Sequence, residues 1–172
     1  MKKQIISLLL SLLLLTPLVI TVDQEFCGDA NTTASKYPTG DAAPFKAATS
    51  ADGKTLYTHT PSDTQVSFVV SGLNPARLYT LKFYASRTGA GSTSYPALYR
   101  AVGANEVQKR FNAANNTSQL VVLANLRPTP EGTIRFEQGT APNSENTFTY
   151  LAAFSIEGDI KKPGEGLFIF LQ

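Results

Sequence analysis

The sequence predicts an all-β protein, an antiparallel β-sandwich, and two observations lead to this fold class. Apolar residues recur at every second position along most of the chain, which is the period of a strand with one buried face. Short stretches rich in Gly, Pro, Asn and Asp separate these runs. About seven or eight short strands with such turns between them favour two packed antiparallel sheets.

The clearest strand covers residues 148–156, where the alternate positions are apolar and Thr149 and Ser155 are expected to face away. Shorter strands are predicted at 55–58, 66–70, 79–85, 98–102 and 134–136. The run 120–123 is apolar throughout, which predicts a central strand covered on both faces. One helical turn is predicted at 105–112, because Val107 and Phe111 lie four positions apart.

The N-terminus resembles a secretory signal. Lys2 and Lys3 precede a long apolar run, which is the order of a basic n-region and an apolar h-region. Residues 1–22 are therefore predicted to be a signal peptide, with an uncertain cleavage site as late as Ala30 and a secreted, periplasmic or cell-surface product. A retained membrane anchor is disfavoured because Pro17 would kink a spanning helix.

Charge and cysteine content exclude several classes of protein. The net charge of +2 includes Lys2 and Lys3, so the processed chain is close to neutral and carries no basic stripe for nucleic acid. No membrane partner is expected once the signal is removed. With Cys27 as the single cysteine, the fold has no internal disulfide. The roughly 145 remaining residues are enough for one packed domain.

The domain organisation follows from composition. Residues 23–50 are predicted to be an irregular leader, either flexible or wrapped around the sandwich, and residues 51–158 are predicted to be the sandwich itself. Residues 159–172 are expected to be a linker and an apolar tail. An apolar strand without a partner is an aggregation hazard. The tail therefore either pairs with a sheet edge or marks a truncated chain, and truncation is the favoured interpretation.

No catalytic constellation stands out, so the chain is not expected to be an enzyme. His59 lies near Ser62 and Asp63, but no tight nucleophile turn is present in the sequence. The carboxylates are scattered, although a pair across a cleft would suit a glycosidase. One Cys and one His argue against zinc. No cofactor is expected, and a structural calcium ion is left open.

The predicted contact surface is the polar loop 88–97 and its neighbours. Aromatic rings stack on sugar rings, and arginine forms paired hydrogen bonds with hydroxyl groups. The candidate ligand-binding residues are Arg87, Tyr95, Tyr99 and Arg100. The alternative places Tyr99 in the core and gives Arg87 a structural pairing. Residues 115–118 contain overlapping glycosylation sequons, for which an Asx turn is the favoured structural explanation.

Two resemblances refine this prediction. The spacing of Leu73, Pro75 and Tyr79 is similar to the tyrosine corner of fibronectin type III domains, which implies that the phenol bonds to the connecting backbone. Over residues 54–157 the chain resembles the galactose-binding-like jelly-roll domains found beside secreted bacterial esterases and polysaccharide-degrading enzymes. The segments that carry this second resemblance are VSGLNPARLYTLKFYASR, VGANEVQKRFNAANNTSQLVVLANLRP, EGTIRFEQ and TFTYLAAFSIE.

The jelly-roll resemblance implies a non-catalytic module that binds a polysaccharide or other glycan, as an accessory to a catalytic domain of a larger protein. A structural or adhesive spacer without a small ligand is the alternative. A glycan-acting hydrolase that uses His59 or paired carboxylates is the third hypothesis.

Overall fold

In the computed structural model, the described residues are 18–22, 28–30, 38–46, 55–59, 66–87, 94, 96–144, 148–158 and 167–169. They form antiparallel strands and a short 3₁₀ helix, Gly40–Phe45. The strands are β1 (Val19–Val22), β2 (Gly28–Ala30), β3 (Thr55–His59), β4 (Val66–Ser71), β5 (Tyr79–Tyr84), β6 (Pro96–Val102), β7 (Glu106–Asn112), β8 (Val121–Leu126), β9 (Ile134–Thr140), β10 (Phe148–Leu151), β11 (Ala153–Glu157) and β12 (Leu167–Ile169).

The strand order is that of a jelly roll. One sheet has the order β1-β4-β9-β6-β7, a second has β12-β11-β5-β8, and a third has β10-β3-β2. Only Ala152 separates β10 from β11, so the second and third sheets are joined through one interrupted strand. The order β3-β10/β11-β5-β8 then faces β4-β9-β6-β7, which is the arrangement of two interlocked Greek keys. The predicted fold class is confirmed.

The core lies between the two faces and is held largely by aromatic rings. Phe83 of β5 stacks on Phe136 of β9 with ring centroids 4.3 Å apart. The ring centroids of Phe68 in β4 and Phe154 in β11 are 4.6 Å apart. All four side chains are almost completely buried. These contacts join the facing sheets, because in each pair the two rings come from opposite sheets.

The connection from β4 to β5 has the expected tyrosine-corner geometry. The Tyr79 hydroxyl accepts a hydrogen bond from the backbone N–H of Asn74 at 2.9 Å. Gly132 supports the same corner, since its carbonyl accepts from the Leu73 N–H at 3.0 Å. Gly132 has φ +76°, and a Cβ there would lie 2.4 Å from the Leu73 carbonyl oxygen. Glycine is therefore required by both backbone conformation and space.

The helical turn predicted at 105–112 is wrong. This segment is the strand β7, paired with β6 over its whole length. Val107 and Phe111 pack against the core from the same side of the strand. A spacing of four is even, so it places two residues on one face of a strand as well as on one face of a helix.

The central position predicted for residues 120–123 is also wrong. Within the described part of the chain, β8 pairs with β5 and ends its sheet. Val121 and Leu123 are fully buried, whereas Val122 between them is 38% exposed. An apolar residue on the outer face of an edge strand produced the continuous apolar run.

The strand predicted at 148–156 is interrupted at Ala152. Leu151 belongs to the main core, whereas Ala152 packs in a second small cluster with Phe45 and Tyr84. Thr149 and Ser155 are buried, although the alternation placed them on a solvent face. The Thr149 hydroxyl pairs with the Gln138 side-chain amide at 2.8 Å, which accounts for a buried polar group at that position.

Segments predicted to lie outside the sandwich also contribute to its packing. Phe45 of the 3₁₀ helix stacks on Tyr84, with ring centroids 6.5 Å apart, as part of the second cluster. The Thr39 N–H donates to the Thr117 carbonyl at 2.7 Å. These contacts support the wrapped alternative for residues 38–46. The strands β1 and β2 pair with β4 and β3, and β12 pairs with β11, so the apolar tail does meet a sheet edge.

The described helical residues include no apolar segment of the length needed to cross a bilayer.

Candidate functional site

The three predicted ligand-binding residues that the structure describes do not share one surface. Arg87 lies at the end of the sandwich where β5 leaves the sheet, Tyr99 lies in the core, and Arg100 lies on the outer face of β6. Tyr95 falls outside the described residues. The site is therefore described from Arg87 outward.

Tyr99 is a core residue, which corrects its expected role as a ligand contact. Its side chain is 0% exposed, and its hydroxyl donates to the Tyr150 carbonyl oxygen at 2.6 Å. Burial raises the pKa of the phenol far above its usual value. Successive residues of a strand face opposite sides, so Tyr99 and Arg100 cannot both line one surface of β6.

Arg100 holds two carboxylates on the outer face of the five-stranded sheet. Its Nη1 donates to Glu137 Oε2 at 2.9 Å and its Nη2 donates to Glu106 Oε2 at 2.7 Å. The hydrogen bond from Arg100, together with its charge, holds the pKa of the Glu106 carboxyl below the ordinary value. Both terminal nitrogens of the guanidinium are engaged, so this arginine has a structural pairing across three strands.

Replacing Arg100 tests this pairing. In Arg100→Gln we expect the pKa of the Glu106 carboxyl to rise toward its ordinary value, because the charged donor is lost. The wild-type pair contributes stability above the unfolded-state pKa of Glu106 and loses it as pH falls through the lower folded-state pKa. A carboxyl-detected NMR titration measures the change. Arg110→Gln on the neighbouring strand is the control, and an unchanged Glu106 pKa in Arg100→Gln would contradict the pairing.

Arg87 is fixed by the connection between β7 and β8. Its N–H donates to the Ala113 carbonyl, and its carbonyl accepts from the Asn115 N–H, both at 2.8 Å. Its guanidinium carbon lies 5.6 Å from the centre of the Tyr150 ring. This distance permits a cation–π contact, which favours one orientation of the arginine at the end of the sandwich.

Asn116 stabilises that connection from inside. Its side-chain amide donates to the carbonyls of Ala85 and Gln119 at 2.8 and 2.9 Å. Its Oδ1 accepts from the N–H groups of Ser118 and Gln119, which is the predicted Asx turn. The Ser86 hydroxyl donates to the Asn116 carbonyl at 2.6 Å. A side chain that is 8% exposed thus has both of its polar atoms bonded.

The sequons at 115–118 include this buried asparagine. The side chain of Asn116 is occupied by backbone groups, so it is not accessible to glycosylation in this fold. Asn115 is exposed, with φ +52°.

Two further groups are linked to Arg87: Phe148 stacks on the tyrosine that Arg87 contacts, and Asn112 immediately precedes Ala113, whose carbonyl accepts from the Arg87 N–H. The Asn112 side-chain amide donates to the Ser94 hydroxyl at 3.3 Å, which attaches the far end of the β5–β6 connection to the end of β7. Phe148, which is half-buried, stacks on Tyr150 with ring centroids 6.5 Å apart. We call the group of Arg87, Ser94, Asn112 and Phe148 the loop-end surface, together with the Tyr150 ring, which is 3% exposed and is contacted by Arg87 and Phe148.

The loop-end surface combines cationic, amide and hydroxyl donors with an aromatic ring, which suits the binding of a polar ligand with apolar patches. Its five residues include neither a carboxylate nor a histidine. His59 of β3 is the cross-strand partner of Phe148, so its backbone lies next to this surface. Glu106 and Glu137 share Arg100 on the outer face of the five-stranded sheet. A glycosidase acid requires a raised pKa, whereas the pKa of Glu106 is lowered. Among the described residues, no group of acidic, His or Cys side chains could hold a metal ion.

Sequence reasoning did not assign Ser94, Asn112, Phe148 or Tyr150 to the site. Phe148 and Tyr150 carried the period of a buried strand, and this pattern gives no sign that one of them supports an arginine from another strand. Ser94 lies within the predicted polar loop, but its attachment to Asn112 joins two separate connections. Such contacts depend on tertiary topology.

No protein-family model matches the chain. No curated protein matches it either. Among solved structures, the chain is similar to the carbohydrate-binding module TmCBM61, whose structure was determined in complex with β-1,4-galactotriose. The sequence identity is 14%, the TM-score is 0.42, and the similarity covers 83% of this chain and 89% of that chain. At this identity and score, the similarity says nothing about a ligand of this protein.

Proposed function

We propose that the protein is a non-catalytic carbohydrate-binding module that binds a glycan at the loop-end surface. The observation that carries the proposal is the position of Arg87, whose guanidinium lies over the Tyr150 ring at the end of the sandwich. The half-buried Phe148 ring stacks on the same tyrosine. The Tyr150 ring is buried, so the part-exposed Phe148 ring is the aromatic group that a sugar could reach, and the arginine supplies the hydrogen-bond donors.

Preorganisation supports this choice of surface. The backbone of Arg87 is bonded on both sides to the β7–β8 connection, and that connection is fixed by the buried Asn116. A ligand that meets an ordered donor has less conformational entropy to remove on binding. Loops carried by a rigid sandwich are also a common location for binding residues.

The wider setting is part of the same proposal. The basic and apolar N-terminus favours export to the periplasm, the cell surface or the medium. There the module would direct a catalytic domain of a larger protein toward a polysaccharide. We propose that it does so without a cofactor and without a nucleic-acid or membrane partner. A structural calcium ion is compatible with this proposal.

A structural or adhesive spacer is the second candidate function. The hydrogen bonds of Asn116 and the bridge between Arg87 and Ala114 favour it, because they stabilise the end of the sandwich without any ligand. If the protein is a spacer, substitution of these residues should lower its stability, and no glycan should be retained.

Arg87→Ala separates the two functions. We expect affinity electrophoresis against a panel of polysaccharides to show retention of the wild-type protein by at least one of them. Loss of the Arg87 side chain should weaken that binding about tenfold, which corresponds to about 1.4 kcal/mol. Arg110→Ala, an exposed arginine on β7, is the matched control and should bind normally. Absence of retention by any polysaccharide would favour the spacer.

Tyr95, which the sequence predicts to contact the ligand, provides a second test of glycan binding. If its ring is a stacking platform, Tyr95→Ala should weaken sugar binding by about 1–3 kcal/mol and leave the melting temperature unchanged. Calorimetric titration and thermal unfolding measure the two quantities. A lower melting temperature with normal affinity would make Tyr95 a packing residue.

A further inference from the structure

The segment around β1 lies within the predicted signal peptide and is also part of the folded sheet. The strand Val19–Val22 pairs antiparallel with β4, and the register aligns Ile20 with Val70. Leu18 and Ile20 are half-buried and pack against the main core, whereas Val19 and Thr21 are exposed. This alternation is that of an ordinary strand with one buried face.

The composition of the sequence changes at the same place. The run before Thr16 is rich in leucine, which suits the helical h-region of a leader, whereas VITV consists of the β-branched residues favoured in strands. Pro17 lies between the two segments and disfavours a continuous helix. The change from a leader to a strand is therefore expected near Pro17, and not at residue 22.

Loss of β1 would alter the sheet. Among the described strands, β4 has β1 on one side and β9 on the other. Without β1, one row of β4 backbone groups would have no partner, which is the condition that favours unwanted strand pairing. Phe68 and Val70 of β4 are 1% and 0% exposed. Both side chains face the core, next to the edge of β4 that β1 covers.

We infer that β1 belongs to the mature domain, so any cut that removes the leader lies on the N-terminal side of Leu18. The inference rests on the proposed export of the chain. The step is hydrolysis of one peptide bond by a leader peptidase: water is consumed, the leader leaves with a new carboxylate, and the domain keeps a new amino terminus. The alternative cuts, after residue 22 or after Ala30, would remove β1, and the later cut would also remove β2.

The first test uses the full chain expressed with its own leader in a secreting bacterial host. Intact-mass and N-terminal analysis of the exported protein should give a first residue at or before Leu18. Hydrogen exchange should show protected amides in β4. A folded exported protein that begins at Val19 or later would overturn the inference.

The second test does not depend on export and uses the full-length chain, whether or not its leader is removed. Ile20→Asp places a charge on the core side of β1, and we expect the melting temperature to fall by about 10 °C. Thr21→Asp places the same charge on the exposed side and should leave the melting temperature within about 2 °C. Equal effects of the two substitutions would show that β1 does not pack on the domain. Sugar retention of the wild-type protein tests the proposed function separately.

Discussion

Phe83→Ala should lower the free energy of unfolding by about 3–5 kcal/mol. The Phe83 side chain is completely buried. The centroid of its ring lies 4.3 Å from that of Phe136, 6.0 Å from that of Phe154 and 6.1 Å from that of Tyr99. Truncation removes apolar surface from the centre of the sandwich and leaves a cavity between rings from opposite sheets. Urea unfolding followed by circular dichroism measures the loss.

Leu78→Ala is the matched control, because Leu78 is 48% exposed in the turn that precedes β5. We expect its effect to stay within about 0.5 kcal/mol. If Phe83→Ala also cost less than about 1 kcal/mol, the two sheets could not be packed through these aromatic rings.

Asn116→Ala should destabilise the domain by about 2–3 kcal/mol and weaken any glycan binding at the same time. The substitution removes two donors and one acceptor, and it leaves the Ala85 carbonyl without the amide that bonds it. The connection that fixes the backbone of Arg87 then loses its internal support. Thermal unfolding and affinity electrophoresis of the same variant measure the two effects.

Asn115→Gly is the control: it tests whether any substitution in the β7–β8 connection lowers stability, or only loss of the buried Asn116 side chain. Asn115 is exposed and has φ +52°, a conformation that glycine adopts readily. We expect stability close to that of the wild-type protein. A large loss in Asn115→Gly together with a small loss in Asn116→Ala would contradict the role assigned to the buried side chain.

Period-two alternation predicted the sandwich because most of its strands bury one face. β4 and β5 show this clearly: Phe68 and Val70 face the core, as do Leu81 and Phe83. The tyrosine corner was predictable because it depends on residues close together in sequence, and its hydrogen bond joins positions five apart. Local signals therefore determined the fold class and the first connection.

Other features could not be read locally. The apolar run at 120–123 does not indicate whether its strand is central or at an edge, because the apolar Val122 is exposed on what is an edge strand of the described sheet. The N-terminal strand β1 was hidden because its apolar residues continue the apolar run of the predicted leader. The identity of a strand's neighbours depends on the whole topology, which local patterning does not encode.

The candidate site was predicted in part. Arg87 was selected because it precedes a long polar loop, and the structure places it at the end of the sandwich. The sequence could have excluded Tyr99 from the site, because on the predicted strand 98–102 it shares a face with Ala101 and lies opposite to Arg100. The stacking of Phe148 and Tyr150 beside Arg87 joins residues about 60 positions apart, beyond the reach of periodicity.

The central claim is that a glycan binds at the loop-end surface, and a residue-resolved NMR titration tests it most directly. The ¹⁵N-labelled protein is titrated with oligosaccharides prepared from the polysaccharide that retains it most strongly. We expect the largest amide shifts at Arg87, Ser94, Asn112 and Phe148, with little change at Gln108 and Glu137, which lie beside Arg100 on the outer face of the sheet. Shifts confined to that outer face, or no shifts at saturating ligand, would contradict the claim.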